Sequence, residues 1–257
     1  MTSYQDQKIK KIDESHQKIL YSTINSLPSF ETLSIHTGQE AEQIHGSVNV
    51  PIHLSSTYKQ KGIGQLYSKF DYTRAGNPTV DAFNQCLASL EHGKHGLSFA
   101  SGCGATTAIL SILKSGDHVI ANDDLYGGTN RLKNKIFSKF GIKFSLIDMN
   151  AENLKNSINE NTKMIWIETP TNPTLKLADI KTISAIAKKK NILIVVDNTF
   201  MSPYFQQPIA LGADIVVHSA TKYIGGHSDM VGGVAATDNK KIADEIVSMK
   251  RLWDINT

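Results

Sequence analysis

Ala213-Asp214-Ile215-Val216-Val217-His218-Ser219-Ala220-Thr221-Lys222-Tyr223-Ile224-Gly225-Gly226-His227-Ser228 is the stretch that decides the fold. Its opening five residues are apolar and β-branched enough for a strand buried on both faces, the kind found in parallel sheets. A lysine follows at once, among hydroxyls and glycines. It falls just past the strand's carboxyl end, where open α/β sheets place their ligands. Desolvation there disfavours the ammonium form and leaves a neutral amine able to attack a carbonyl. Taken alone, the segment also fits a surface loop lysine that happens to follow a strand, so its neighbours must decide.

Upstream, Asn191-Ile192-Leu193-Ile194-Val195-Val196-Asp197-Asn198-Thr199 predicts a second buried strand, ending in a carboxylate at the same sheet edge as Lys222. In isolation Asp197 also fits a helix or turn cap. Beside a strand-end lysine it fits pyridoxal phosphate (PLP). The lysine holds the aldehyde, and the aspartate keeps the pyridine nitrogen protonated so that the ring accepts electrons. Gly96-Leu97-Ser98-Phe99-Ala100-Ser101-Gly102-Cys103-Gly104-Ala105-Thr106-Thr107 predicts a short strand, a glycine turn and a helix beginning near Gly104. The first amides of such a helix suit a phosphate dianion. A dinucleotide site competes, with Asp123 near the required distance downstream, but Gly102-x-Gly104 lacks the third glycine of that fingerprint. Lys222 with Asp197 tips the choice to PLP.

Five motifs then carry a family resemblance: Phe70-Asp71-Tyr72-Thr73-Arg74-Ala75-Gly76-Asn77-Pro78-Thr79, Asp124-Leu125-Tyr126-Gly127-Gly128-Thr129-Asn130-Arg131, Trp166-Ile167-Glu168-Thr169-Pro170-Thr171-Asn172-Pro173-Thr174, Asp197-Asn198-Thr199-Phe200-Met201-Ser202-Pro203-Tyr204, and the Lys222 run. Spanning about Thr32 to Gly233 in order and spacing, they resemble the Cys/Met metabolism family of PLP enzymes, the trans-sulfuration enzymes. The resemblance implies an α/β fold: the large domain of a fold-type I, aspartate aminotransferase-like PLP enzyme. It also assigns roles. Lys222 would hold the cofactor and shuttle protons, Asp197 would pair with the pyridine nitrogen, and Tyr126 would stack on the ring and act as an acid or base at the leaving group. Amides of Gly102 and Cys103, with Ser219 and Thr221, would hold the phosphate, and Thr199 lies among the cofactor contacts. Tyr72 and Arg74 would reach the phosphate site of a neighbouring subunit. Asn172 is similar to the residue at the ring hydroxyl, while Arg131 and Arg74 are similar to substrate-contacting arginines. No metal is implied.

The implied activity is cleavage of cystathionine to cysteine, 2-oxobutyrate and ammonia. Synthesis of cystathionine, γ-cleavage of methionine and sulfhydrylation of homoserine esters remain open alternatives. Family members continue well beyond the lysine into a small C-terminal domain with the arginine that binds the substrate's carboxylate. That domain is expected to be missing here, which leaves either a fragment of a longer protein or a truncated, catalytically defective, PLP-binding paralogue as competing expectations. A homo-oligomer, a dimer of dimers, is implied as well.

Composition narrows the classes further. The 257 residues can bury roughly 70 to 75% of their unfolded surface, enough for one large α/β domain. With 27 basic and 24 acidic residues the net charge is +3, which gives no nucleic-acid signature. Two cysteines are too few for a disulfide framework and point to the cytoplasm. Cys103 is either mildly activated by the helix start or a small buried residue. Along the chain, residues 1–30 are expected to be a polar tail without a signal or transit pattern. The resemblance implies that residues 31–76 are an inter-subunit arm, expected to be extended from Thr32 to Tyr72, and 77–257 the PLP-binding domain. Helices are expected over Val80–Glu91, Ala108–Leu113, Thr129–Phe140, Ile180–Lys190 and Lys241–Trp253. Strands are expected near Leu97, Val119, Phe144, Ile165, Val195 and Val216. This alternation implies a mostly parallel sheet covered on both faces, with no membrane span.

Overall fold

A computed structural model describes residues 28–256, so the tail expected over 1–30 lies almost wholly outside the described residues. The described chain opens with helix α1, Phe30–His36, capped by the Ser29 hydroxyl. This corrects the expectation of an extended segment from Thr32. The apolar stripe of Phe30 and Leu33 packs beside Leu87 and Leu90, so burial outweighs the short length. Next comes a small hairpin, β1 (Gln60–Gly62) and β2 (Gln65–Leu66), in a largely exposed stretch.

Helix α2, Pro78–Leu90, starts at Asn77, whose side chain accepts from the Thr79 amide, with proline in the first turn. The sheet and its helices follow: β3 (His95–Phe99), α3 (Gly102–Leu110), β4 (His118–Asn122), α4 (Gly127–Lys135), β5 (Lys143–Ile147), α5 (Ala151–Ser157), β6 (Thr162–Glu168), α6 (Ile180–Lys188), β7 (Leu193–Asp197), α7 (Ser202–Phe205), β8 (Ile215–Ser219), β9 (Gly233–Thr237) and α8 (Lys240–Trp253). All six expected strands are present. Strand β9, helix α5 and the short α7 were not expected. Helix α4 stops at Lys135 and continues as a 3-10 turn over Phe137–Phe140.

The seven strands run in the order β3-β9-β8-β7-β6-β4-β5. From β8 to β5 every pairing is parallel, and only β9 runs against its neighbours. Alternate residues of one strand feed opposite cores. Met164 and Trp166 of β6 join Phe99, Ile109, Val195, Val217 and Ile246 on one face. On the other, Ile165 and Ile167 join Ile120, Ile194, Val196 and the α6 residues Ile183 and Ala187. Each such apolar side chain contributes roughly 1.5–3 kcal/mol when fully buried, which fixes the register, since a one-residue slip would exchange the two faces. The ordering also creates a switch point. Strands β4 and β6 are neighbours, but the chain leaves β4 toward β5 on one side and β6 toward β7 on the other. A crevice opens there, outside the carboxyl ends.

Candidate active site

The carboxyl ends of β6, β7 and β8 and the start of α3 surround one cavity of about 1020 Å³. Helix α3 begins at Gly102, two residues earlier than the sequence suggested. Ser101 caps it, its hydroxyl accepting the Gly104 amide at 3.0 Å. The amides of Gly102 and Cys103 therefore belong to the first turn and lack intrahelical partners, leaving them to a ligand in the cavity they line. Gly102 is required by packing, because a Cβ there would lie 2.8 Å from the Cβ of Ser219.

Asp197 ends β7, as expected, and lines the cavity. Its Oδ1 accepts the Thr199 amide at 3.1 Å, and the Thr199 hydroxyl in turn accepts the Ser219 amide at 2.8 Å. Burial pushes the Asp197 carboxyl above its ordinary range, while the Thr199 hydroxyl and amide, and then His218, pull it back. His218 follows the cavity-lining Val217 on β8, so it faces the opposite side of the sheet, and Asn198, just past the end of β7, turns to the same side. There His218 Nε2 lies 2.5 Å from Glu91 Oε1, which also accepts Asn198 Nδ2 at 2.9 Å.

Lys222 lies three residues past β8 and lines the same cavity. Its side chain is exposed, which corrects the expected desolvation: the neighbouring stretch Gly226–Val231 is exposed too, so the lysine faces an open mouth. Thr221 also lines the cavity, but its hydroxyl is shared with Gly232, donating to the carbonyl at 3.2 Å and accepting the amide at 3.0 Å. Tyr126 stands at the start of α4. A Cβ on Gly128 would lie 2.3 Å from the Tyr126 ring and 2.8 Å from Cys103 Sγ, so the second glycine of Tyr126-Gly127-Gly128 is what lets the ring fold back toward α3. Arg131, one turn on, brings its guanidinium near Gly127 and Cys103 without lining the cavity. The Cys103 thiol is not activated. Burial raises it and outweighs Arg131.

Two expected residues lie elsewhere. Arg74 pairs with Asp254 at 3.1 Å and sits 5.2 Å over the Tyr72 ring, and neither lines the cavity. Conversely, Glu168 lines it and was not singled out. Paired in register with Asp197, it is 5% exposed, and burial first, then Asp197, push its carboxyl up to about 8. A strand-final carboxylate was the signal for Asp197 and could have found Glu168 as well. Asn172 completes the wall beyond β6.

This donor set fits PLP. It offers a lysine amine, a deep carboxylate for a ring N–H, and helix-start amides with the Ser219 hydroxyl for a phosphate.

Comparison with known proteins agrees. Residues 31–253 match the family described as Cys/Met metabolism PLP-dependent enzyme. The chain is 51% identical over 218 residues to a probable cystathionine gamma-synthase of Herpetosiphon aurantiacus, covering 84% of this chain and 68% of that one. It is 52% identical over 221 residues to a cystathionine beta-lyase of Lactococcus lactis subsp. cremoris, covering 86% of this chain and 58% of that one. The crystal structure of cystathionine gamma-lyase from Lactobacillus plantarum complexed with L-serine superposes with a TM-score of 0.86 at 40% identity, covering 89% of this chain and 60% of that one. The chain thus spans between 58% and 68% of the length of these relatives.

Proposed function

We propose that this chain, which belongs to the Cys/Met metabolism PLP-dependent enzyme family, carries the cofactor-holding part of a carbon–sulfur lyase that splits cystathionine at the Cγ–S bond. The observation that carries this reading is the convergence of Lys222, Asp197 and the start of α3 on one cavity. When bound, PLP supplies an aldehyde for an amine and a ring that accepts the electron pair released at the substrate's Cα.

The chain's own residues do the rest. Amides of Gly102 and Cys103, with the hydroxyl of Ser219, bind the phosphate, and the Thr221 hydroxyl joins them by turning its proton from the Gly232 carbonyl to the ligand. Asp197, steadied by Thr199, holds a proton on the pyridine nitrogen. Asn172 orients the ring from the side. Lys222 anchors the cofactor and then carries protons to and from the substrate's carbon atoms, a task that an amine at the open cavity mouth can perform while substrate enters. Tyr126 gives a proton to the departing sulfur, and Arg131 attracts a substrate carboxylate. Water enters the balance, so that cystathionine and water yield cysteine, 2-oxobutyrate and ammonia. Tyr72 and Arg74 act at a neighbour's cavity in a homo-oligomer, a dimer of dimers. The two half-buried free cysteines are in keeping with a cytoplasmic setting.

The test is incubation of the purified chain with PLP and cystathionine. Cysteine and 2-oxobutyrate in equal amounts are expected, and Lys222→Ala should abolish them. Homocysteine with pyruvate would move the cleavage to the other carbon–sulfur bond and overturn γ-cleavage. Failure of the chain to take up PLP would overturn the whole assignment.

A further inference from the structure

Glu168 is held in a way that core packing does not explain. Its two carboxyl oxygens accept backbone amides from two different loops: Oε2 takes the Tyr126 N–H at 2.8 Å, and Oε1 takes the Asn172 N–H at 2.9 Å. Its own amide donates to Asn122 Oδ1, at the end of β4, at 2.9 Å. The side chain therefore spans the switch point between β4 and β6, where the two onward connections diverge. A buried carboxyl group is costly even when neutral, and here both of its oxygens serve as acceptors, a protonated one through its remaining lone pair. Glutamine at this site offers one acceptor oxygen and turns an N–H against the other amide. Leucine offers none.

We propose that Glu168 is a positioning residue, a two-armed clasp that ties the Tyr126 loop to the Asn172 loop and so fixes both against the place of the cofactor ring. It rests on the assignment of the cavity to PLP made above. The outer parts of the same loops are tied separately. Asp124 accepts the Thr174 amide at 3.0 Å and the Thr171 hydroxyl at 2.6 Å, and Lys176 pairs with Asp123. Glu168 is the inner tie, at the cavity wall.

The test uses amide hydrogen exchange on the cofactor-free chain, with PLP titration beside it. In Glu168→Leu, the amides of Tyr126 and Asn172 should exchange faster by roughly tenfold or more, the range expected on losing a hydrogen bond to a charged or strongly polarised acceptor. Thr174, held by Asp124, should keep its protection. Glu168→Gln should release one amide and keep the other, and it serves as the probe if the leucine variant does not fold. Both variants should bind PLP about tenfold more weakly, and the visible circular dichroism of the bound cofactor should change as the Tyr126 ring loses its place. Unchanged exchange of both amides in the folded variants overturns the clasp, whatever the cofactor does. A parent chain that binds no PLP overturns the cavity assignment instead, and the exchange data alone then decide whether the clasp exists.

Discussion

Side-chain chemistry at the cavity turns on two carboxylates in register, Asp197 and Glu168, and their charges set a pH dependence. Glu168 would lose its proton near 4.5 in the unfolded chain but near 8 when folded. Between those values the folded state keeps a proton that the unfolded state has released, so stability falls as pH rises through that window. The full effect is roughly 3–5 kcal/mol by pH 8. Denaturant midpoints of the parent chain and Glu168→Gln, followed from pH 4.5 to 9, should therefore differ in slope, with the parent declining more steeply. Parallel curves would show that Glu168 is not held neutral. Asp197 was legible in the sequence because it closes an apolar run that reads as a buried strand, and Lys222 because it follows such a run within a few residues. Glu168 closes a run of the same kind, Met164-Ile165-Trp166-Ile167, yet what gives it a role is a pair of backbone amides 42 and 4 residues away. No residue type records where an amide points.

At the scale of elements, the central parallel strands β7 and β8 were legible because burial on both faces favours unbroken runs of Val, Ile and Leu. Strand β9 was not. Gly233-Val234-Ala235-Ala236-Thr237 is small and weakly β-forming, and the reason lies in what it touches: a Cβ on Gly233 would sit 2.1 Å from the Ser101 carbonyl oxygen. The strand is small so that the capped start of α3 can press against it. Gly233→Ala should therefore push the Ser101 turn outward, destabilising the fold by about 1–3 kcal/mol and weakening phosphate binding. Urea midpoints and PLP titration would check both effects. A variant as stable as the parent, with full affinity, would mean that β9 does not set the position of α3. Helix α8 makes a second case. Burial lowers its Lys250, stacked 5.6 Å over the Phe99 ring, to about 8. The folded chain sheds this proton before the unfolded chain does, so stability should rise again from pH 8 toward 10.5. In Lys250→Met that alkaline rise should be lost, as measured by the same midpoints.

For the molecule as a whole, the cavity and the arm do not meet within one chain. Arg74 is engaged with Asp254 and Tyr72 outside the cavity, while Ile52, Leu54 and Ile63, earlier in the same segment, are 77%, 95% and 103% exposed. An apolar, exposed arm that carries phosphate-binding residue types makes sense if it lies on a second copy, as the proposed oligomer requires. The sequence could suggest this only through resemblance, because nothing in local patterning says whose cavity an arm serves. The Arg74–Asp254 pair is exposed and worth about 0–1 kcal/mol, so Arg74→Ala should fold normally. Its effect should fall on cofactor affinity, weakened by roughly tenfold or more, as for a charged hydrogen bond to phosphate. Mixing Arg74→Ala chains with Lys222→Ala chains then discriminates. In a mixed dimer one cavity carries both lesions, and the other combines an intact Lys222 with an intact Arg74 from the neighbour. Borohydride treatment with PLP should place a label on Lys222 in the mixture at sub-saturating cofactor, well above the label on Arg74→Ala chains alone. If mixed dimers form and that recovery is absent, Arg74 works within its own subunit or not at all, and the arm does not complete a neighbour's site.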